Sequence, residues 1–328
     1  MIAATKTKYI WQTKVNMRAR VFVSCGQATA EERTTANCVK KLLEDRGFEV
    51  FVALETQSLN DINTGTINHL RMADYFLFID FPREEIVPFG GASSQKNNKR
   101  GSVYSHQELA IAYVLGFPES IFLKHHDVEL KGIAQYQMAN AAEFSDYQEI
   151  PKIVQELIDK HEWSPSFTRH LRTTEIVRSS IPLIYDSLGN DRYDWNFYVK
   201  IRNNRTDAAA RHCIGRLAKI WRDGEEQRLH DQSPLAWGGQ SGYECLIFPG
   251  DTESLSLFGI DRDKNSYLYL HSQRDIPPQL PIIILPGNYR LKYQIVAELF
   301  PIYEFEIKIK HTSDINSMQV KLASNEVS

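Results

Sequence analysis

The sequence predicts two architectures in series: an α/β domain built on a doubly wound parallel sheet, then an all-β sandwich. Three observations carry that expectation. Between about residues 20 and 161, short β-rich runs alternate with helical ones, the pattern of repeated βαβ units. One run, YFLFID (75–80), is almost continuously apolar, as a strand covered on both faces must be. Beyond residue 193 the period falls to two, which belongs to antiparallel sheets with one wet face.

The elements follow in order. RVFVS (20–24) reads as the first strand and ends in the small or polar residues Cys25, Gly26 and Gln27. The next segment sets Val39, Leu42 and Leu43 at helical spacing, with Gly47 as its stop. FEVFVA is a second strand, and NDINTGTINHLRMAD a second helix with Ile62, Ile67 and Leu70 inward. After YFLFID, a helix carries GSVYSHQELAIAYVLGF, SIFLK (120–124) is a further strand, and EIPKIVQELIDKH closes the series. Ile150, Ile153, Val154, Leu157 and Ile158 mark its apolar face. Five strands at this size suit the flavodoxin-like order 2-1-3-4-5.

Residues 162–192 hold no period and read as a linker. WNFYVKI, YRLKYQI and YEFEIKIK then alternate inward and outward, punctuated by FPGD and LPGNY. About seven strands from 193 to 322 are expected, in an immunoglobulin-like sandwich. The divisions are an arm (1–18), the α/β domain (19–161), the linker (162–192) and the sandwich (193–328).

The chain has 328 residues, enough for two domains, since single cores usually stop growing near ~250–300 residues. A net charge of −3 gives no bulk reason to expect nucleic-acid or membrane binding. No run approaches the roughly 18 apolar residues that span a bilayer. The N-terminus reads as a short basic arm without the apolar core of a signal peptide. The four cysteines (Cys25, Cys38, Cys213, Cys245) show no CxxC pairing, so neither a zinc site nor a disulfide framework is expected, and the chain reads as cytoplasmic.

Open α/β sheets bind ligands beyond the carboxyl ends of their strands, where strand order reverses. Here that crevice would receive Ser24, Gly26 and Gln27 from strand 1, Asp80 from strand 3 and the head of the helix carrying Glu108. A long polar loop, FPREEIVPFGGASSQKNNKRGSVY, lies between Asp80 and that helix, as a lid or an insertion. Glu108 has two readings. SHQE is a capping-box pattern in which Ser105 and Glu108 satisfy each other's backbone. Alternatively Glu108 is a carboxylate kept ionised by the helix N-terminus and turned towards a ligand. Ser24 and Gly26 similarly serve either as a small-residue turn or as backbone donors to a phosphate or ribose. Ser102 and Ser105 are candidates for sugar hydroxyls, and Tyr136 and Asn140 for closing the pocket. His125-His126-Asp127 invites a metal, but adjacent residues diverge on regular backbone, so no metal and no cofactor are expected.

RVFVSCGQ, LLEDRGFEVFVA, INHLRMADYFLFIDF and GSVYSHQELAIAYVLGFP resemble, in that order, the nucleoside 2-deoxyribosyltransferase-like proteins, and TIR domains almost as well. The likeness covers about residues 19–160. It implies that Glu108 is the catalytic glutamate and that Asp80 contacts substrate. It departs from the TIR pattern in placing His106-Gln107 where Trp-Cys is usual, and from the deoxyribosyltransferases in its longer loop. Both families cleave the bond between an anomeric sugar carbon and a base nitrogen through an oxocarbenium-like transition state, which a carboxylate stabilises or traps. The resemblance thus implies a nucleotide or nucleoside substrate. NAD hydrolysis by a defence or signalling effector is favoured over base exchange in salvage, because salvage has no need of an appended sandwich. A cationic nicotinamide leaves unaided. A neutral base must be protonated, with Asp80 as the candidate acid. The rival expectation is a nucleotide-sensing or scaffold module without turnover. Homo-oligomerisation or a protein partner is the task left for the sandwich.

Overall fold

The computed structural model describes residues 18–53, 62–85, 99–185, 191–229, 232–238, 242–260, 267–270, 282–312 and 317–323. The basic arm and the centre of the long polar loop (86–98) lie outside them.

The first half contains β1 (Arg20–Cys25), α1 (Ala30–Asp45), β2 (Glu49–Val52), α2 (Asn68–Met72) and β3 (Tyr75–Asp80). It continues through the short strands β4 (Glu84–Glu85) and β5 (Lys99–Arg100), then α3 (Val103–Val114), β6 (Ser120–His125), α4 (Ile133–Gln137), β7 (Ala142–Phe144) and α5 (Ile150–Lys160). Five of these strands form a parallel sheet in the order β2-β1-β3-β6-β7, the predicted order.

The pleat of β3 explains the layering. Tyr75, Leu77 and Ile79 enter a core with Val39 and Leu43 of α1 and Ile150, Val154 and Ile158 of α5. Phe76 and Phe78 alternate to the other face, onto Leu70 of α2, Leu109 and Ala112 of α3, and Ala134 of α4. A strand wrapped by helices on both sides must be apolar at every position, which is why YFLFID shows no alternation. The expected second helix is shorter than its sequence suggests. Its first turn, Ile62–Ile67 around Gly65, is π-helical and only Asn68–Met72 is α-helical. α1 begins with a complete capping box: the Glu32 N–H donates to Thr29 Oγ1 at 3.1 Å, and the Thr29 N–H to Glu32 Oε2 at 3.3 Å.

The second half is antiparallel. Its strands in chain order are β8 (Leu171–Tyr185), β9 (Asp191–Asn203), β10 (Ala210–Arg222), β11 (Glu225–Gln227) and β12 (Cys245–Ile247). β13 (Thr252–Ile260), β14 (Leu268–Tyr269), β15 (Gly287–Glu298), β16 (Tyr303–His311) and β17 (Gln319–Leu322) follow. A six-stranded sheet runs β11-β10-β15-β16-β17 with β12 added on β10, and a four-stranded sheet runs β14-β13-β9-β8. One core takes Leu217, Tyr293 and Ile307 from the first sheet and Val199, Ile201 and Leu255 from the second. Gly215 lets them approach: a Cβ there would lie 2.6 Å from Leu255 Cδ1. On β16 the alternation is as predicted, with Tyr303, Phe305, Ile307 and Ile309 buried. Among the described residues no helix is long and apolar enough to cross a membrane.

The segment read as a linker is structured and corrects that reading. β8 occupies residues 171–185 and pairs with β9. It is an edge strand whose alternation is broken by register shifts after Thr173 and Pro182, and edge strands carry polar residues and proline because one side lacks a ladder partner. Before it, Trp163 stacks on Tyr75 with ring centroids 4.3 Å apart. Arg169 is fully buried. Its Nε donates to the Ala73 carbonyl at 2.7 Å, Nη1 to Leu115 at 2.9 Å and Nη2 to Arg71 at 3.3 Å, while the guanidinium lies 3.8 Å from the Phe117 ring centroid. Burial pulls its pKa down to about 10, so it stays charged at neutral pH.

Candidate active site

β1 and β3 are hydrogen-bonded neighbours whose downstream connections diverge, and at their carboxyl ends stand Ser24 and Asp80, both with no exposed surface. α3 starts above them. Its N-cap is Ser102, whose carbonyl accepts from the His106 N–H at 3.0 Å. The helix therefore begins one turn earlier than a Ser105 cap would require, and Ser105 is a buried residue inside the first turn. The predicted capping box is overturned. Glu108 is instead bonded across the crevice: Ser24 Oγ donates to Glu108 Oε2 at 2.5 Å.

The expectation that the helix terminus keeps Glu108 ionised also needs correction. Burial disfavours the charged form and pushes the Glu108 pKa up to about 7, and the Ser24 hydroxyl opposes that rise. The carboxylate is consequently poised near half ionisation at neutral pH.

A second pair stands beside the first. Asp80 Oδ2 lies 2.7 Å from His106 Nε2, and the imidazole, 30% exposed, packs near Phe78. Asp80 Oδ1 is buried and has no hydrogen-bond partner among the described residues. Gly101 forms the roof, because a Cβ at that position would fall inside the Asp80 carboxylate. Asp80 thus has no exposed surface, and its described side-chain contacts are His106 and the roof at Gly101.

A third feature lies under the turn after β1. Arg83 is ion-paired with fully buried Glu32, its Nη2 at 2.6 Å from Glu32 Oε2, and its guanidinium occupies the space a side chain at Gly26 would need. Glu32 thereby serves both the α1 cap and Arg83. Burial, reinforced by Glu108 and Glu32, pushes the Cys25 thiol up to about 12, so it remains a neutral thiol.

The other expected residues divide. Gln27 is committed to structure, its Nε2 donating to the Ala53 carbonyl at 2.7 Å. Ser102 is buried at the α3 cap. Asn140 lies on an exposed turn after α4, and Tyr136 is 83% exposed. The ligand atoms of His125, His126 and Asp127 do converge, within 4.8 Å of one another, because a turn follows β6. Two of them are already engaged: His125 Nδ1 accepts from the Asp127 N–H at 3.2 Å, and Asp127 pairs with Lys99 at 3.7 Å. His106, Gly101, Arg83 and Glu32 were missed by sequence reasoning. Only the Thr29-x-x-Glu32 cap was readable in advance.

No family model matches this chain, and no curated protein does. Among solved structures it is similar to the CMP N-glycosidase BcmB of Clostridium botulinum, with 15% identity, a TM-score of 0.30, and coverage of 42% of this chain and 98% of that one. A 2-deoxyribosyltransferase from Bacillus psychrosaccharolyticus matches with 15% identity and a TM-score of 0.25, over 40% of this chain and 90% of its own. A β-glucosidase from Erythrobacter marinus matches over 94% of this chain and 46% of its own, with 9% identity and a TM-score of 0.27.

Proposed function

We propose that this protein is an enzyme that cleaves the N-glycosidic bond of a nucleotide or nucleoside, with Glu108 as the carboxylate that meets the anomeric carbon. One observation carries this reading. Glu108 is half-buried, released from helix capping and held by Ser24 at the carboxyl ends of the central strands, where open α/β sheets bind ligands. A carboxylate stripped of water interacts more strongly with the positive charge of an oxocarbenium-like transition state. That charge in turn favours ionised Glu108, which then stabilises the cation or traps it as a glycosyl ester. Ser24 limits the rise in the Glu108 pKa and fixes which oxygen faces the sugar.

Within this reading, hydrolysis of NAD or a related nucleotide by a regulated, cytoplasmic defence or signalling effector is preferred to base exchange in salvage. The support is architectural: the large antiparallel half, taken as an immunoglobulin-like sandwich domain, suits homo-oligomerisation or a protein partner better than it suits salvage.

The test is to incubate wild type and Glu108→Gln with NAD, CMP and a panel of nucleosides, with and without a free acceptor base, and to follow released base by chromatography. Release by wild type and loss in the variant is the expected result. A new nucleoside formed only with acceptor would identify transfer. No release by wild type from any substrate would overturn the reading in favour of a non-catalytic nucleotide-sensing module.

A further inference from the structure

A base that leaves as an anion is a poor leaving group, so cleavage of a neutral nucleoside or nucleotide calls for a proton at the departing nitrogen. The groups at the carboxyl edge of β1 and β3 differ sharply in whether they can deliver one. Asp80 has no exposed surface, lies under Gly101 and has Oδ2 on His106. Ser24 gives its proton to Glu108, and Arg83 is held by Glu32. Cys25 is a buried thiol. His106 is different: its imidazole is partly exposed, and Asp80 fixes Nε2, leaving Nδ1 as the nitrogen to carry a second proton.

The geometry points to His106 as the proton donor to the departing base, with Asp80 as its positioning residue, an assignment that rests on the glycosidic reading of Glu108. The two pairs have complementary roles. Ser24 and Asp80 lie on adjacent strands, roughly 5 Å apart laterally, and Asp80 stands two residues beyond the level of Ser24, which is in register with Phe78. His106 and Glu108 descend from the same turn of α3 onto these strands. A ligand over the switch point would therefore meet a carboxylate at the sugar and an imidazolium at the base.

The step balances without any further reagent. As the C–N bond breaks, its electron pair goes to the base nitrogen, which takes the proton from Nδ1. The anomeric carbon passes to Glu108 or directly to water. The attacking water gives its hydroxyl to that carbon and its proton back to His106. Asp80 accepts from Nε2–H throughout and stabilises the imidazolium, so it holds a proton-transfer partner without touching substrate.

Leaving-group chemistry supplies the test, because a ribosyl bond to an already cationic base needs no acid. Wild type, His106→Gln and Asp80→Asn are assayed on CMP or adenosine, whose bases are neutral, and on NAD or 7-methylguanosine, whose bases leave as neutral molecules. For His106→Gln the expected loss is on the order of 10²–10⁴-fold on the neutral bases, with less than about tenfold on the cationic ones. Activity of the same variant on 7-methylguanosine or NAD reports its fold. His106→Gly assayed with added imidazole gives a second measurement, with partial rescue expected on neutral bases only. Equal loss on both classes, or no loss on either, overturns the assignment while leaving Glu108 chemistry intact. Wild type that releases no base from either class removes the glycosidic reading, and this inference with it.

Discussion

β3 carries an aspartate at each end, and the two are used in opposite ways. Asp74, just before the strand, is surrounded by donors: Oδ2 accepts from the Arg20 N–H at 2.9 Å, and Oδ1 from Thr168 Oγ1 at 3.0 Å and the Arg169 N–H at 3.1 Å. Asp80, at the far end, has one oxygen on His106 and the other without a partner among the described residues. Both are buried. A buried carboxylate that is fully bonded organises structure. One left partly bonded is retained at a cost, and such costs gather at functional sites. Asp74 ties the chain entering the antiparallel half to the parallel sheet. Asp80 holds one imidazole.

Five substitutions would break or sharpen this contrast, two of them as a pair. The largest effect is expected at the Asp74 end. Arg169→Ala should lower stability by about 3–5 kcal/mol, since it strands one buried and two part-buried carbonyls and leaves the Phe117 ring without its cation; urea unfolding would read it. A loss below about 1 kcal/mol would mean that the connection is not held there. Glu108→Gln should do the reverse at alkaline pH. The folded pKa of about 7 exceeds the ordinary 4.5, so the protonated group contributes its full stability below pH 4.5 and that contribution is lost as pH rises through 7. A permanently neutral Gln escapes the loss. The variant should gain up to roughly 3 kcal/mol at pH 8, and nearly nothing at pH 4.5. Unfolding curves at both pH values decide it, and a gain independent of pH would refute the assignment to Glu108.

Third, Asp80→Asn should change stability by less than about 1 kcal/mol, whereas Asp74→Asn, which turns an acceptor against a backbone N–H, should cost about 2 kcal/mol. Similar losses at both sites would erase the distinction between the two ends of β3. The smallest effect belongs to Ser24→Ala. Removing the hydroxyl that lowers the Glu108 pKa should move the ascending limb of the pH–rate profile to higher pH. A limb that moves down, or stays in place, would show that Ser24 does not tune Glu108.

Legibility in the sequence followed how local each determinant was. The continuous apolar run of β3, the strict alternation of β16 and the amphipathic α5 declare themselves because each is written within one element. The strand order followed from their sequence. The state of Glu108 did not. SHQE satisfies the capping pattern as well as any true box, yet the helix starts at Val103 with Ser102 as its N-cap, and Glu108 is bonded to Ser24 on a strand 84 positions earlier. Asp74 and Asp80 look alike in sequence, since what separates them is donors from residues nearly a hundred positions away. β8 escaped detection because an edge strand with broken register lacks the alternation by which strands are recognised.

α3 is gripped at its far end by the same residue that anchors the antiparallel half. Arg169 Nη1 binds the Leu115 carbonyl at the C-cap, and Asp207 Cβ lies 3.6 Å from where a Cβ at Gly116 would stand. At 1.5 Å per residue, the twelve-residue α3 is a rod about 18 Å long. Held at one tip and carrying His106 near the other, it works as a lever: tilting by ~3° sweeps the site end through ~1 Å, a displacement that can alter rates a hundredfold. The end that carries His106 and Glu108 is thus referred, through the body of the helix, to the residue at which the chain enters the antiparallel half.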